Sequence, residues 1–156
     1  MKKTLLLVAF ALFFVSALPA SAQLWGVPGS VGIVDESAAS LYEMSGASLK
    51  FKSGQTGTIV ARYPVYSPVS QDPMWTRVAV AYAGPGVSVR LVQIPRCLRY
   101  EDTIATQAFT GTDTDSCDPL NISHTWDFWN NSYYVEVTLT RASTSTNPQL
   151  HHLWLE

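Results

Sequence analysis

Short runs of alternating apolar and polar residues constrain this chain most, because a two-residue period is that of a β-strand with one buried face. Between Thr58 and Val65, the side chains of Ile59, Ala61 and Tyr63 fall on one face. The same alternation predicts further strands within segments 75–82, 87–91, 103–109, 132–141 and 149–155, a short strand at 48–52, and only one short helical turn, around 37–42.

Turn-forming residues separate these runs. Ala83-Gly84-Pro85-Gly86 predicts a hairpin between the strands on its two sides. Asn130-Asn131 predicts a second hairpin, between 126–129 and 132–141, because asparagine tolerates the left-handed backbone of tight turns. Pro64 cannot donate a ladder hydrogen bond, so the strand that contains it ends there or lies at a sheet edge.

Seven or eight short strands with frequent turns predict an all-β fold. We expect a single-domain β-sandwich of jelly-roll type, with an immunoglobulin-like sandwich as the alternative. The two cysteines are 20 positions apart, which is too close for the usual bridge between immunoglobulin sheets.

The first 22 residues predict a secretory signal peptide. Lys2 and Lys3 precede an apolar stretch, Leu5 to Leu18, that is too short to cross a bilayer, and Ala20-Ser21-Ala22 offers a small-residue cleavage site. We therefore expect residues 23–156 to form the mature domain, secreted or periplasmic, without a transmembrane segment.

The charge of the mature chain argues against nucleic-acid partners. Removal of Lys2 and Lys3 leaves eight basic residues against twelve acidic ones, a formal charge of −4. The remaining lysines and arginines are scattered, whereas binding to a phosphate backbone usually needs clustered cations.

Cys97 and Cys117 are the only two cysteines in the chain. Export would place them in an oxidising compartment, where an even number of cysteines without a C-x-x-C motif predicts a disulfide.

One acidic loop could hold a cation. Asp113, Asp115 and Asp118 place three carboxylates within six residues, and carboxylate oxygens are the ligands that calcium prefers. The spacing is not that of an EF-hand, so a solvated turn is the alternative. His151 and His152 are neighbours in a predicted strand, where they would point to opposite faces and not chelate one ion together.

Aromatic side chains crowd the predicted second hairpin and give the candidate ligand site. Its residues are Trp126, Trp129, Asn130, Asn131 and Tyr134. Exposed rings can stack on a sugar ring, asparagines can supply hydrogen bonds, and aromatic residues with a polar tip also suit protein interfaces. Alternation places Trp126 and Trp129 on opposite faces, so one should lie in the core and the other should be more exposed; a fully buried cluster is the alternative.

No catalytic motif nominates a reaction, since G-x-S-x-G, S-x-x-K and H-E-x-x-H are all absent. The segments Gly57–Tyr63, Tyr133–Arg141 and Asn147–His151 are similar to parts of small secreted bacterial β-rich proteins of unassigned function, a resemblance that implies no site residues. We therefore expect a non-catalytic binding module for a glycan or another surface ligand. The alternative is a structural or interaction protein of the cell envelope or extracellular matrix.

Overall fold

The structure, a computed structural model, describes residues 25–67, 73–111 and 116–156. The predicted signal peptide lies outside these residues. The strands are β1 (Trp25–Pro28), β2 (Ile33–Val34), β3 (Tyr42–Ser45), β4 (Ser48–Phe51), β5 (Gly57–Val65), β6 (Arg77–Ala83), β7 (Val87–Pro95), β8 (Asp102–Phe109), β9 (Ser116–Asn121), β10 (Asn131–Arg141) and β11 (Gln149–Leu155). Two 3-10 helical turns, Gly29–Val31 and Glu36–Ala38, complete the regular structure of the described residues.

The strands form two antiparallel sheets, which confirms the predicted all-β sandwich. One sheet has the order β3-β4-β11-β6-β9, with β1 also paired to β11, and the other has the order β2-β5-β10-β7-β8. From β4 onward the chain passes to the other sheet at every step except between β7 and β8. This winding, with β4-β11-β6-β9 facing β5-β10-β7-β8, is that of a jelly roll. The immunoglobulin-like alternative is set aside, because its sheets keep several consecutive strand pairs together.

The predicted alternation places the core between the sheets. On β10, Tyr133, Val135, Val137 and Leu139 are buried, and so are their partners on β5 and β7 except for Gln93, which is half-buried. The inward residues of β6 and β11 supply the opposite wall of the same core. Burial of alternate side chains from two facing sheets is what stabilises a sandwich.

The predicted hairpin at Gly84-Pro85-Gly86 is wrong. β6 pairs with β11 and β9, whereas β7 pairs with β10 and β8, so this turn carries the chain from one sheet to the other. Gly84 and Gly86 have φ values of 72° and 89°. A Cβ atom on Gly86 would lie 2.2 Å from the carbonyl oxygen of Thr140, so the corner is packed against the end of β10.

The predicted hairpin at Asn130-Asn131 is also wrong in part. The predicted strand 132–141 is present as β10, which begins one residue earlier at Asn131, but residues 126–129 form no strand. They belong to an irregular connection from β9 that ends in a turn over residues 128–130. The predicted edge position of Pro64 agrees with the structure, since β2 reaches only Ala61 and Arg62 of β5.

The predicted disulfide is corrected, because Cys97 and Cys117 are both exposed and free. Cys117 pairs with Ala81, near the Gly84–Gly86 end of the sandwich, whereas Cys97 lies two residues beyond the end of β7, at the opposite end. The nine residues of β7 alone span about 30 Å. Bridged cysteines need Cα atoms within about 7 Å of each other. The prediction rested on the number of cysteines, which does not reveal where the fold places them.

Among the described residues, no helix has the length and apolar character needed to span a membrane.

Candidate functional site

One end of the sandwich collects most of its exposed large hydrophobic side chains. Eight such side chains are exposed in the described part of the chain. Five of them lie in the connections at the end where β5, β7 and β9 finish and β6, β8 and β10 begin: Tyr66, Met74, Leu98, Tyr100 and Trp129. We call this region, residues 66–67, 73–76, 96–101 and 122–130, the aromatic end. The described connections at the opposite end, residues 52–56, 84–86, 110–111 and 142–148, contain none of the eight.

Trp129 sits on a turn that is fixed by the carboxylate of Asp127. One oxygen, Asp127 Oδ1, accepts the backbone N–H groups of Trp129 and Asn130 at 3.1 Å each. The other, Oδ2, accepts the side-chain amide of Asn130 at 2.8 Å. The amide of Asn130, followed by these backbone bonds, lowers the pKa of Asp127 below its ordinary value. The turn is therefore held in one conformation while 81% of Trp129 remains exposed.

Beneath this turn lies a packed group of rings, which we call the ring cluster: Trp75, His124, Trp126, Phe128 and Tyr133. The rings of Trp126 and Phe128 stack at 5.7 Å, 7° from parallel, and Trp75 meets Trp126 edge-on at 5.2 Å. Trp126 is only 2% exposed, so it belongs to the core and supports the site from below. Edge-on and stacked ring pairs add to the stability that burial gives.

His124 and Tyr133 connect the ring cluster to the turn. The hydroxyl oxygen of Tyr133 accepts the backbone N–H of Asp127 at 3.0 Å. The same hydroxyl is 3.2 Å from Nε2 of His124. Burial lowers the pKa of His124 below its ordinary value, which favours the neutral ring.

An open cleft of about 560 Å³ borders the ring cluster. Its walls are the segment before β6 and the segment after β9, and they combine rings with small polar residues: Met74, Trp75, Thr76, Ser123, His124 and Trp126. The volume lies within the range of small-ligand sites in proteins. Trp126 is shared by the cleft and the ring cluster that supports Trp129, so the two features are continuous.

Of the predicted ligand residues, some are exposed at the turn and others are buried. Trp129 and Asn130 are exposed together at the turn, and Asn131 accepts the side-chain amide of Gln93 at 2.7 Å. Trp126 is buried. Tyr134 is 7% exposed and lies on the outer face of the five-stranded sheet, since its neighbour Tyr133 points into the core.

Four other residues of the site, Tyr66, Met74, Leu98 and Tyr100, were not predicted. They lie in connections without periodicity, so nothing in the local sequence marks them as neighbours. The one available indication is their position in the connections between predicted strands, since strand pairing brings connections together at the ends of a sheet.

The outer face around Tyr134 carries a chain of ion pairs. Oε1 of Glu136 accepts a hydrogen bond from Nε of Arg90 at 2.6 Å, and Oε2 forms an ion pair with Nε of Arg62 at 3.0 Å. Arg62 also pairs with Asp35, and Arg90 lies 3.5 Å from Glu101. The hydrogen bond to Glu136 is the largest cause of the raised pKa of Arg90. Three carboxylates thus face two arginines, and all five groups are paired within the chain.

The predicted calcium ligands are only partly described. Asp118 lies in β9, where its Oδ2 accepts the hydroxyl of Tyr82 at 2.7 Å, while Asp113 and Asp115 lie outside the described residues. Within the described ranges, no three His, Cys, Asp or Glu residues are grouped closely enough to hold a metal ion. The calcium site stays a prediction.

Comparison with known proteins gives structural likeness alone. No protein-family model and no curated protein matches the sequence. One similar solved structure is the carbohydrate-binding module CBM36 in complex with calcium and xylotriose, 15% identical, covering 85% of this chain and 99% of its own, with a TM-score of 0.47. Another is TmCBM61 in complex with beta-1,4-galactotriose, 14% identical, covering 92% of each chain, with a TM-score of 0.43. A family 29 carbohydrate-binding module is 10% identical over 90% of this chain and 85% of its own, with a TM-score of 0.40. The similar structures are thus β-rich, as the resemblance implied, but they are not proteins of unassigned function.

Proposed function

We propose that this protein is a non-catalytic module that binds an uncharged oligosaccharide through the aromatic end. The observation that carries the proposal is Trp129, a large ring that is 81% exposed on a turn with a fixed backbone. Because the turn is ordered before a ligand arrives, little conformational freedom is lost on binding.

The chemistry of the aromatic end suits a sugar. The apolar face of a pyranose ring can stack on the indole of Trp129, and the neighbouring Asn130 side chain can exchange hydrogen bonds with hydroxyl groups. Tyr66 and Tyr100 add rings with a polar tip. Such a mixture of exposed rings and amides fits a ligand that has both apolar faces and hydroxyl groups.

The charges at this end favour an uncharged ligand. Its described residues carry two cations, Arg96 and Arg99, and two anions, Glu101 and Asp127. Arg96 is occupied by the carbonyl oxygen of Phe128 at 3.0 Å, and Asp127 holds the turn. A strongly anionic glycan would require an excess of cations.

A glycan array followed by calorimetry tests this function on the mature chain, residues 23–156. We expect binding to one class of neutral oligosaccharide, and we expect Trp129→Ala to weaken it about 30-fold, the size of a typical central aromatic contact. Met44→Ala is the matched control, because Met44 is also exposed but lies in β3, outside the aromatic end. Thermal melts of both variants establish that each is folded.

Two outcomes would overturn the proposal. One is equal affinity of Trp129→Ala and the parent chain for the selected oligosaccharide. The other is the absence of glycan binding together with concentration-dependent association on a sizing column. That second result would support the structural or interaction protein of the cell envelope or extracellular matrix, since exposed rings also suit protein interfaces. Export of the chain, which the proposal assumes from residues 1–22, is tested by the intact mass of the exported protein.

A further inference from the structure

We propose that His124 and Tyr133 are positioning residues for Trp129, and that protonation of His124 loosens the turn and weakens glycan binding. The inference rests on the proposed function and adds a pH dependence to the same site. The geometry that carries it is one continuous path, from His124 Nε2 to the hydroxyl of Tyr133 at 3.2 Å and on to the N–H of Asp127 at 3.0 Å.

The direction of the two hydrogen bonds follows from the donors available. The backbone N–H of Asp127 can only donate, so the oxygen of Tyr133 is its acceptor. We assign the hydroxyl proton of Tyr133 to Nε2 of the neutral His124 ring. A hydroxyl that donates one hydrogen bond becomes a better acceptor for another, so each bond strengthens the other.

Protonation reverses the first of these bonds. Nε2 of a charged ring carries a hydrogen and can no longer accept the hydroxyl proton of Tyr133. Two N–H donors, from His124 and Asp127, then compete for one oxygen, and the bond to Asp127 weakens. The carboxylate of Asp127 holds the backbone of Trp129 and Asn130, so a weaker hydrogen bond between Tyr133 and Asp127 loosens the turn that carries the exposed ring.

The surroundings of His124 leave this response unopposed. Tyr133 of β10 is the titratable group in contact with its ring, and Trp126 meets the ring at 5.7 Å. The remaining residues that line the cleft around His124 carry no formal charge. Burial lowers the pKa of His124, and among the described residues no carboxylate offsets this effect.

Nuclear magnetic resonance of the labelled mature chain tests the inference without a glycan. As the pH falls from about 8, above the ordinary histidine pKa of about 6.5, through the lower folded pKa of His124, we expect the chemical shift of the Asp127 amide to change together with the titration of the His124 ring. We also expect its hydrogen-exchange protection to fall about 2- to 10-fold, equivalent to one net hydrogen bond. In Tyr133→Phe the His124 ring should still titrate while the Asp127 amide no longer follows it. His124→Gln should abolish the pH-dependent change of the Asp127 amide altogether.

His152→Gln is the matched control, because His152 lies in β11 beside Trp154 and does not touch the turn; it should leave the Asp127 titration unchanged. An Asp127 amide that ignores the His124 titration would overturn the inference, as would an unaltered step in Tyr133→Phe. His124→Gln provides a second test if Tyr133→Phe does not fold. If the linked titration is present and the array finds no glycan, the proposed function fails while the positioning path stands. If a glycan binds through Trp129 and the Asp127 amide does not respond to protonation of His124, the proposed function stands while the inference about His124 and Tyr133 fails.

Discussion

The indole N–H of Trp126 donates to the backbone carbonyl of Trp75 at 3.0 Å, and the two rings meet edge-on at 5.2 Å. This pair joins the segment before β6 to the segment before β10, two connections that each run from one sheet to the other. The exposed Trp129 is only three residues further along the chain. The platform for ligand binding is therefore tied to both layers of the sandwich, rather than being carried by a free loop.

Replacement of Trp126 tests the role of its contact with Trp75. Trp126→Phe keeps a ring in the core but removes the N–H donor and part of the packed volume, leaving the carbonyl of Trp75 without the indole donor. We expect the free energy of unfolding to fall by about 2 kcal/mol, measured by urea denaturation. Trp129→Phe is the control and should stay within about 0.5 kcal/mol, because its side chain is exposed. Equal losses in the two variants would contradict the assignment of Trp126 to the core.

The corner that joins the sheets gives a second prediction. Gly86→Ala forces an L residue into a φ of 89° and places its Cβ against the carbonyl oxygen of Thr140. Gly46→Ala meets a φ of 61° with no atom within 4 Å, so it isolates the backbone cost alone. We expect about 1 kcal/mol for Gly46→Ala and about 3 kcal/mol or more for Gly86→Ala in chemical denaturation. Similar values for both would mean that the corner is not packed against β10.

Local alternation predicted most strands, because burial of every second side chain depends on a strand's own sequence. Residues 149–155 were predicted as one strand, and β11 has these bounds. Strand partners could not be predicted in the same way. Gly84-Pro85-Gly86 has the composition of a hairpin turn, yet the same glycines also permit a crossing between sheets, and only the pairing of β6 and β7 with other strands distinguishes the two.

The candidate site was predicted less completely for a related reason. The expectation that Trp126 and Trp129 differ in exposure agrees with the structure, although an irregular turn separates them rather than a strand. Met74 is 93% exposed and lies 55 positions before Trp129, and only the pairing of β6 with β9 places it at the same end. Contacts that depend on which strands pair leave no trace in a local sequence pattern.

The free cysteines give a third prediction. Because Cys97 and Cys117 lie at opposite ends of the sandwich, we expect both thiols to react with a thiol reagent in the folded protein. The free energy of unfolding of the double variant Cys97→Ser/Cys117→Ser should stay within about 0.5 kcal/mol of that of the parent chain, since both side chains are exposed. An intact mass lower by two hydrogens, with unreactive thiols, would restore the disulfide that the sequence predicted.

The ion pairs on the outer sheet face give a fourth prediction. Glu136→Gln removes the carboxylate that forms ion pairs with both Arg62 and Arg90, and only 8% of the Glu136 side chain is exposed. Because the two arginines are about one-third exposed, solvent limits the loss, and we expect about 1–2 kcal/mol in urea denaturation. Glu43→Gln is the control: its carboxylate pairs with Lys50 at 3.2 Å on an exposed surface and should contribute about 0.5 kcal/mol or less. If the two variants lose equal stability, the chain of ion pairs acts as an ordinary surface feature.

The final prediction concerns stability against pH. Burial lowers the pKa of His124, so the unfolded chain binds a proton more readily than the folded one. The contribution of neutral His124 is therefore fully present above the ordinary histidine pKa of about 6.5 and is lost as the pH falls through the lower folded value. The hydrogen bonds to Asp127 act in a separate window: its lowered pKa supports the fold above the ordinary aspartate value of about 3.9, and that support is lost in stronger acid. Urea denaturation across this pH range should thus show two steps, of which His124→Gln removes the upper and Asp127→Asn reduces the lower. An upper step that persists in His124→Gln would assign it to another group.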